Sequence, residues 1–234
     1  MLGIFYLVTK LNGTFMSKII SFSLWGKKAF YLNGALLNYA LQPEIYPGWK
    51  CRFYIDETVP NEFIEQVPNA EIIEMDKSDG NYGLFWRFEP LKDDSIERFI
   101  VRDTDSRLNL READAVREWE ESGKEFHIMR DNIQHAVPIC GGMWGATNEF
   151  ISKIKNDYDE LLTGYLEGLT FDQLYKFRGK YFNTDQPFLW KYIWPKVVNS
   201  HLAHIADLKE LRITGKEQLF KIKIKGFVGE PINE

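Results

Sequence analysis

Apolar positions along this chain alternate between two spacings. Ile19 to Leu24 is a short run of Ile, Ser and Phe that ends at the Trp25-Gly26 turn, which predicts a buried strand. Phe30, Gly34, Leu37 and Leu41 then fall at helical spacing, which predicts a helix stopped by Pro43. Lys50 to Ile55 predicts a second strand with Asp56 at its end, EFIEQV a short helix, and EIIEM a third strand. Residues 76–94, rich in Gly and aromatics, read as a loop, and Arg98 to Arg102 as a fourth strand. Asn109 followed by Glu112 is a capping-box-like start, and Leu110, Ala113 and Val116 form the stripe of the helix behind it.

The second half begins with a strand at Phe126 to Met129, ending at Arg130-Asp131, and a Gly-rich segment over 140–145. Helical patterns dominate from Glu149 to Pro195, and the alternating KIKIK at 221–225 reads as a Lys-protected edge strand. No repeat or low-complexity linker divides the chain. The expectation is one α/β domain over 1–234, with a central mixed, mostly parallel sheet flanked by helices. Residues 17–125 would form a Rossmann-like nucleotide-binding half and residues 126–210 an acceptor-side half. Met16 directly precedes the first strand, so residues 1–15 read as an N-terminal extension, and a chain starting at Met16 is expected to fold and stay active.

Composition narrows the function. With 234 residues, 44% of them hydrophobic, the chain can bury a full core. Seven Trp and seventeen Phe give it aromatic faces of the kind that also line sugar- and base-binding grooves. A net charge of −5 argues against nucleic acid or an anionic membrane as partner, because both want a basic face. Cys51 and Cys140 match no metal-ligand spacing and fit a reducing, cytoplasmic compartment. The apolar run Leu2 to Val8 lacks a basic leader and the ~20 apolar residues of an integral membrane segment.

The chemistry concentrates where the fourth strand runs out. Asp103 and Asp105 are two residues apart, so on a strand both carboxylates face one side and can meet at one point. Two hard oxygen ligands suit Mn2+ or Mg2+, which is often shared with phosphate oxygens, and strand C-termini are where α/β folds place ligands. A DxD tripeptide is common, and a solvated turn is the competing reading. Context decides: Arg87, Arg102, Arg107, Asp131, His135 and the Gly141-Gly142 pair all lie at expected strand ends or in adjacent loops.

Together, SFSLWG (21–26), YPGWKCRFYID (46–56), FWRF (85–88), RDTDSRL (102–108), FHIMRD (126–131), GGMWG (141–145) and TDQPFLW (184–190) resemble the nucleotide-sugar glycosyltransferases of GT-A type. The resemblance is greatest to small enzymes typified by a chlorella-virus glycosyltransferase of capsid-glycan synthesis and its bacterial surface-polysaccharide relatives. It implies a GT-A-like fold and metal-dependent transfer of a sugar from a nucleotide diphosphate, a UDP-sugar, to a glycan or glycoprotein acceptor. On that reading Asp105 is the direct metal ligand, Asp103 is shared between metal and donor, and a C-terminal His, His204 in preference to His201, supplies a further ligand. Ser21, Ser23 and Leu24 would hold the base, with Trp25 left to the core. Arg87 and Arg102 would hold phosphate or a strand-end carboxylate by paired hydrogen bonds, with a structural ion pair an equal or better reading of each taken alone. Gly141 and Gly142 would admit the sugar closely. Asp131 and Asp185 are the candidate catalytic carboxylates, with Gln186 beside the sugar; Asp185 also fits a plain helix-capping role ahead of Pro187. Two other readings stand against this one. A DxD-type metal-dependent phosphohydrolase would want an aspartyl nucleophile followed by a Gly-Thr turn, which Ser106-Arg107 matches poorly. A non-catalytic sugar-binding module would bind glycans without any nucleotide.

Overall fold

The structure is a computed structural model and describes residues 16–176 and 178–232. The expectation for residues 1–15 lies outside the described residues. The sheet runs through β1 (Ser17–Leu24), β2 (Trp49–Ile55), β3 (Glu71–Glu74), β4 (Ile96–Val101), β5 (Phe126–Arg130), β6 (Trp144–Thr147), β9 (His201–Ile205) and β10 (Gln218–Leu219). Its spatial order is β10-β9-β5-β6-β4-β1-β2-β3, and every neighbouring pair is parallel except those of β6, which is antiparallel to β4 and β5. The expected mixed, mostly parallel sheet is therefore present.

Burial on both faces explains why its central strands read as apolar runs. Ile19, Phe99 and Val101 belong to one core with Phe85, Phe88 and Trp144, whereas Ile20, Phe22 and Ile100 belong to the other with Phe53 and Trp119. Successive residues of one strand thus feed opposite cores, as the pleat requires. Helices α1 (Ala29–Ile45) and α3 (Leu110–Ser122) pack on the second core, while α4 (Asn148–Ile154) and α5 (Tyr158–Glu167) pack on the first.

Several elements differ from the sequence reading. Helix α1 runs through Pro43 to Ile45, because a proline in the last turn forfeits one bond and the ladder resumes at Tyr46 N–H to Gln42 O, 2.8 Å. Residues Tyr82–Lys92 form a 3-10 helix rather than a loop, since Phe85, Phe88 and Leu91 anchor it in the first core. The stretch expected to be helical contains a hairpin, β7 (Tyr175–Lys176) with β8 (Gly179–Lys180), after the short α6 (Phe171–Leu174). From Asp185 the chain is helical again, as α7 (Asp185–Phe188), a π-helical turn over Leu189–Ile193 and α8 (Trp194–Val197). Pro195 lacks the N–H that would continue a regular ladder, which accounts for the wider turn before it.

KIKIK is not the edge strand. Gln218–Leu219 pairs with β9 instead, and the segment beyond is held by side chains: Lys221 pairs with Glu118 at 3.0 Å and Arg111 takes the carbonyl of Ile222. Asn109 caps α3 by accepting from Glu112 N–H at 3.1 Å, but the Glu112 carboxylate turns to Arg102 rather than closing the box.

Candidate active site

After β1 the chain builds β2 and β3 on one side, then returns to lay β4 on the other. The reversal opens a crevice above the C-terminal ends of β1 and β4, the place where open α/β sheets bind ligands. A cavity of about 750 Å3 lies there, well within the size of small-molecule sites at ~300–1,000 Å3. Its wall includes Ser23, Arg87, Asp103, Asp105, Gly142 and Asp185.

Two serines of β1 aim the arginine. Ser21 Oγ donates to Arg87 O and Ser23 Oγ accepts from Arg87 N–H, both at 2.8 Å, so residues of one strand face clamp the backbone of the 3-10 helix. The Arg87 guanidinium then joins two acids, donating from Nη1 to Asp103 Oδ1 and from Nη2 to Asp185 Oδ2 at 2.7 Å. Arg87 and Asp185 are buried, while the Asp103 side chain is 39% exposed to the cavity. The Gly141-Gly142 pair makes room for this arrangement. A Cβ at Gly141 would lie 2.5 Å from Asp185 Oδ2 and 2.7 Å from Arg87 Nη2, and one at Gly142 would strike Asp103 Oδ2. Leu24 and Gln186 complete the neighbouring wall.

Asp105 is half-buried, and burial raises its carboxyl above the ordinary carboxylate range against the pull of Arg87 and Arg107. A desolvated carboxylate two residues from a partly exposed one is a donor set that a divalent cation relieves. Among the described residues no group of three or more His, Cys, Asp and Glu side chains gathers as a cage. Asp103 and Asp105 are hard oxygen donors of the kind that would suit Mn2+ or Mg2+.

The structure places four of the expected site residues, His204, Arg102, Asp131 and Ser21, outside the cavity wall. His204, in β9, is fully buried with its side chain on the α3 face of the sheet, Nδ1 2.9 Å from His127 Nε2 and Nε2 3.5 Å from Glu118; the alternative His201 turns Nδ1 to Val197 O at 3.0 Å. Neither lines the cavity. Arg102 follows Val101 by one residue and so points to the opposite face, where it pairs with Glu112 at 3.0 Å. Asp131 lies outside the cavity wall and takes Arg111 in a two-pronged pair, Nη2 to Oδ1 at 2.5 Å and Nε to Oδ2 at 2.8 Å. Ser21 is fully buried, so its hydroxyl positions Arg87 instead of meeting a base.

The cavity also contains residues that the sequence reading left out. Trp25, assigned to the core, packs edge-on against Trp86 at 6.0 Å and lines the cavity with Lys27, Lys28 and Tyr31. Two adjacent lysines in the turn after the first strand were the signal, since that turn borders the switch point. Arg178 and Asn183 come from the hairpin side, and Asn183 and Tyr181 hold φ of 53° and 61°, which non-Gly residues seldom adopt. Spacing alone carried no sign of these.

No protein-family model matches the chain, and no curated protein sequence matches it. Solved structures do. The glycosyltransferase GlyE of Streptococcus pneumoniae TIGR4 superposes with a TM-score of 0.50 at 12% identity, over 80% of this chain and 44% of its own length. A glycosyltransferase involved in glycosylation of the major capsid of PBCV-1 gives a TM-score of 0.49 at 14% identity, over 81% of each chain. A putative nucleotide-diphospho-sugar transferase from Desulfovibrio desulfuricans G20 gives 0.47 at 12% identity, over 82% of this chain and 83% of its own. At such identities the likeness is one of fold, and the fold is GT-A-like, as the sequence resemblance implied.

Proposed function

We propose that this chain is a metal-dependent glycosyltransferase that moves a sugar from a nucleoside diphosphate, a UDP-sugar, to a hydroxyl of a glycan or glycoprotein acceptor. The observation that carries the reading is one linked group of acids. Asp103 and Asp105 leave β4 at the switch point, and Arg87 ties the first of them to Asp185 across the same cavity. The sequence resemblance supports a surface or capsid glycan as the product.

Each part of the wall has work in this reaction. Asp103 and Asp105 hold Mn2+ or Mg2+, which when bound supplies Lewis-acid neutralisation of the charge on the departing diphosphate. Lys27, Lys28 and Arg178 add positive charge around the phosphates, and Ser23, Leu24 and Trp25 form the side on which the base lies. Asp185, oriented by Arg87, faces the sugar with Gln186, while Gly141 and Gly142 leave the room that Asp185, Arg87 and Asp103 occupy. The Ser106-Arg107 turn after the acids speaks against a phosphohydrolase, which wants a Gly-Thr turn after its aspartyl nucleophile.

Calorimetry of UDP binding with and without Mn2+ tests the assignment. Mn2+ should tighten UDP binding by about tenfold or more, worth about 1.4 kcal/mol or more, and Asp105→Ala should remove that gain. UDP binding that is indifferent to the metal overturns the role of the two acids, and no UDP binding at all overturns the class.

A further inference from the structure

We propose that the Arg111–Asp131 ion pair is a clasp that fixes the C-terminal segment as one wall of the nucleotide-sugar cavity, making Asp131 a positioning residue rather than a base. The inference rests on the functional reading above for the identity of the ligand.

The pair grips the segment at three places. Asp131 Oδ2 accepts Val228 N–H at 2.9 Å, Arg111 Nη1 donates to Ile222 O, and the Arg111 guanidinium lies over the Phe220 ring at 4.2 Å. Val228 is itself fully buried in a small core with Ala115, Met129 and Met143. From this clasp the chain continues directly into the site. Gly229, at φ +81°, lines the cavity so close to Met143 that a Cβ would lie 2.8 Å from its Sδ. Ile232 N–H then donates to the main-chain oxygen of Asp105 at 2.9 Å, tying the segment to the loop of the two acids.

Asp131 sets a second part of the wall. Its own N–H donates to His135 Nδ1 at 3.2 Å, and the His135 ring meets Phe227 of the same segment at 5.4 Å. His135 lines the cavity. Beyond β10 the segment is not laddered to the sheet, so its place over the site rests on these side-chain bonds together with the burial of Val228 and the Ile232–Asp105 main-chain bond. Both Asp131 oxygens are occupied by the clasp.

The test compares Asp131→Ala with Asp131→Asn and Arg111→Lys in the full chain. Three readouts are used: amide hydrogen exchange at Val228 and Ile232, calorimetric affinity for UDP with Mn2+, and the separation of KM from kcat on a UDP-sugar. Asp131→Ala should speed exchange at both amides, weaken UDP by about tenfold and raise KM with little change in kcat. Asp131→Asn, which keeps an oxygen for Val228, should lie between Asp131→Ala and the unmodified chain, and its folding is read from Tm. Unchanged exchange overturns the clasp. Faster exchange with unchanged UDP affinity overturns the positioning role, as does a kcat loss of about 10²–10⁴ in Asp131→Asn at unchanged KM, the mark of a general base. Failure of the unmodified chain to bind UDP overturns the functional reading as well; binding that Asp131→Ala leaves untouched overturns the positioning role alone.

Discussion

Arg87 Nη2 stands 2.7 Å from Asp185 Oδ2 with both side chains buried, and its other terminal nitrogen holds Asp103. One cation thus joins the acid that follows β4 to the acid that opens α7. Truncating it strands a buried carboxylate, which costs about 3–5 kcal/mol. In a chain of this size each kcal/mol is about 2–4 °C, so Arg87→Ala should lower Tm by about 6–20 °C and abolish Mn2+-dependent UDP binding. Arg87→Ala/Asp185→Asn should regain part of the Tm but none of the binding. Arg87→Lys should resemble the single Ala variant in binding, because an ammonium cannot fork between two carboxylates.

Gly142→Ala tests the space beside Asp103. The added Cβ meets Asp103 Oδ2, so the carboxylate must leave its place while the rest of the wall stays. The variant should fold and lose about tenfold or more in Mn2+-dependent UDP affinity by calorimetry. Retained affinity would show that Asp103 is not held there by the absence of a side chain.

Arg102 serves the fold. It is buried with Glu112 at 3.0 Å and its Nη2 lies 3.4 Å from the Tyr46 hydroxyl. Arg102→Met alone leaves Glu112 uncompensated and should cost about 3–5 kcal/mol in chemical denaturation. Arg102→Met/Glu112→Leu should recover most of that loss and bind UDP with unmodified affinity. Weakened binding in the well-folded double variant would restore Arg102 to the phosphate site.

Acid should loosen the sheet through its buried histidines. His127 stacks on Trp119 and meets His204 at 2.9 Å, with Glu118 and Lys221 beyond and Arg102 acting on it from the strand side. Burial, helped by the neighbouring positive groups, holds His127 well below its ordinary value near 6.5, and burial also lowers His204. Unfolded chains take up these protons below about pH 6.5 and the native state does not. Stability is therefore full above that pH and falls as pH drops, by about 1.4 kcal/mol per unit for each histidine kept neutral. His127→Phe keeps the stacking and should flatten the dependence of Tm between pH 6.5 and 5; an equally steep profile would place the acid sensitivity elsewhere.

Local spacing made the first half of the sheet legible, because its strands are buried on both faces and read as apolar runs. The strands β6 and β9 escaped: Trp144–Thr147 follows two glycines, and His201–Ile205 is short and carries two histidines. The cavity's two acids were legible from the point where the apolar run ends, although β4 itself stops at Val101 and it is the turn over 104–106 that carries them into the cavity. At the strand end alternation sends Arg102 to the face opposite Val101, where the structural ion pair that stood as its competing reading forms with Glu112.

What the sequence determined by itself was the order and type of the central elements, the acids at the end of β4 and the glycine pair, all consequences of spacing within a few residues. The tertiary structure alone decided what each distant charge is for. Asp131 and Asp185 are both acids at element ends, but Arg111 from α3 closes on the first and Arg87, 98 positions away, brings the second to the cavity. His204 looked like a ligand until His127 and Glu118 enclosed it. A carboxylate or imidazole takes its role from the charges and solvent that reach it through space, and those are fixed only when the two halves of the sheet pack together.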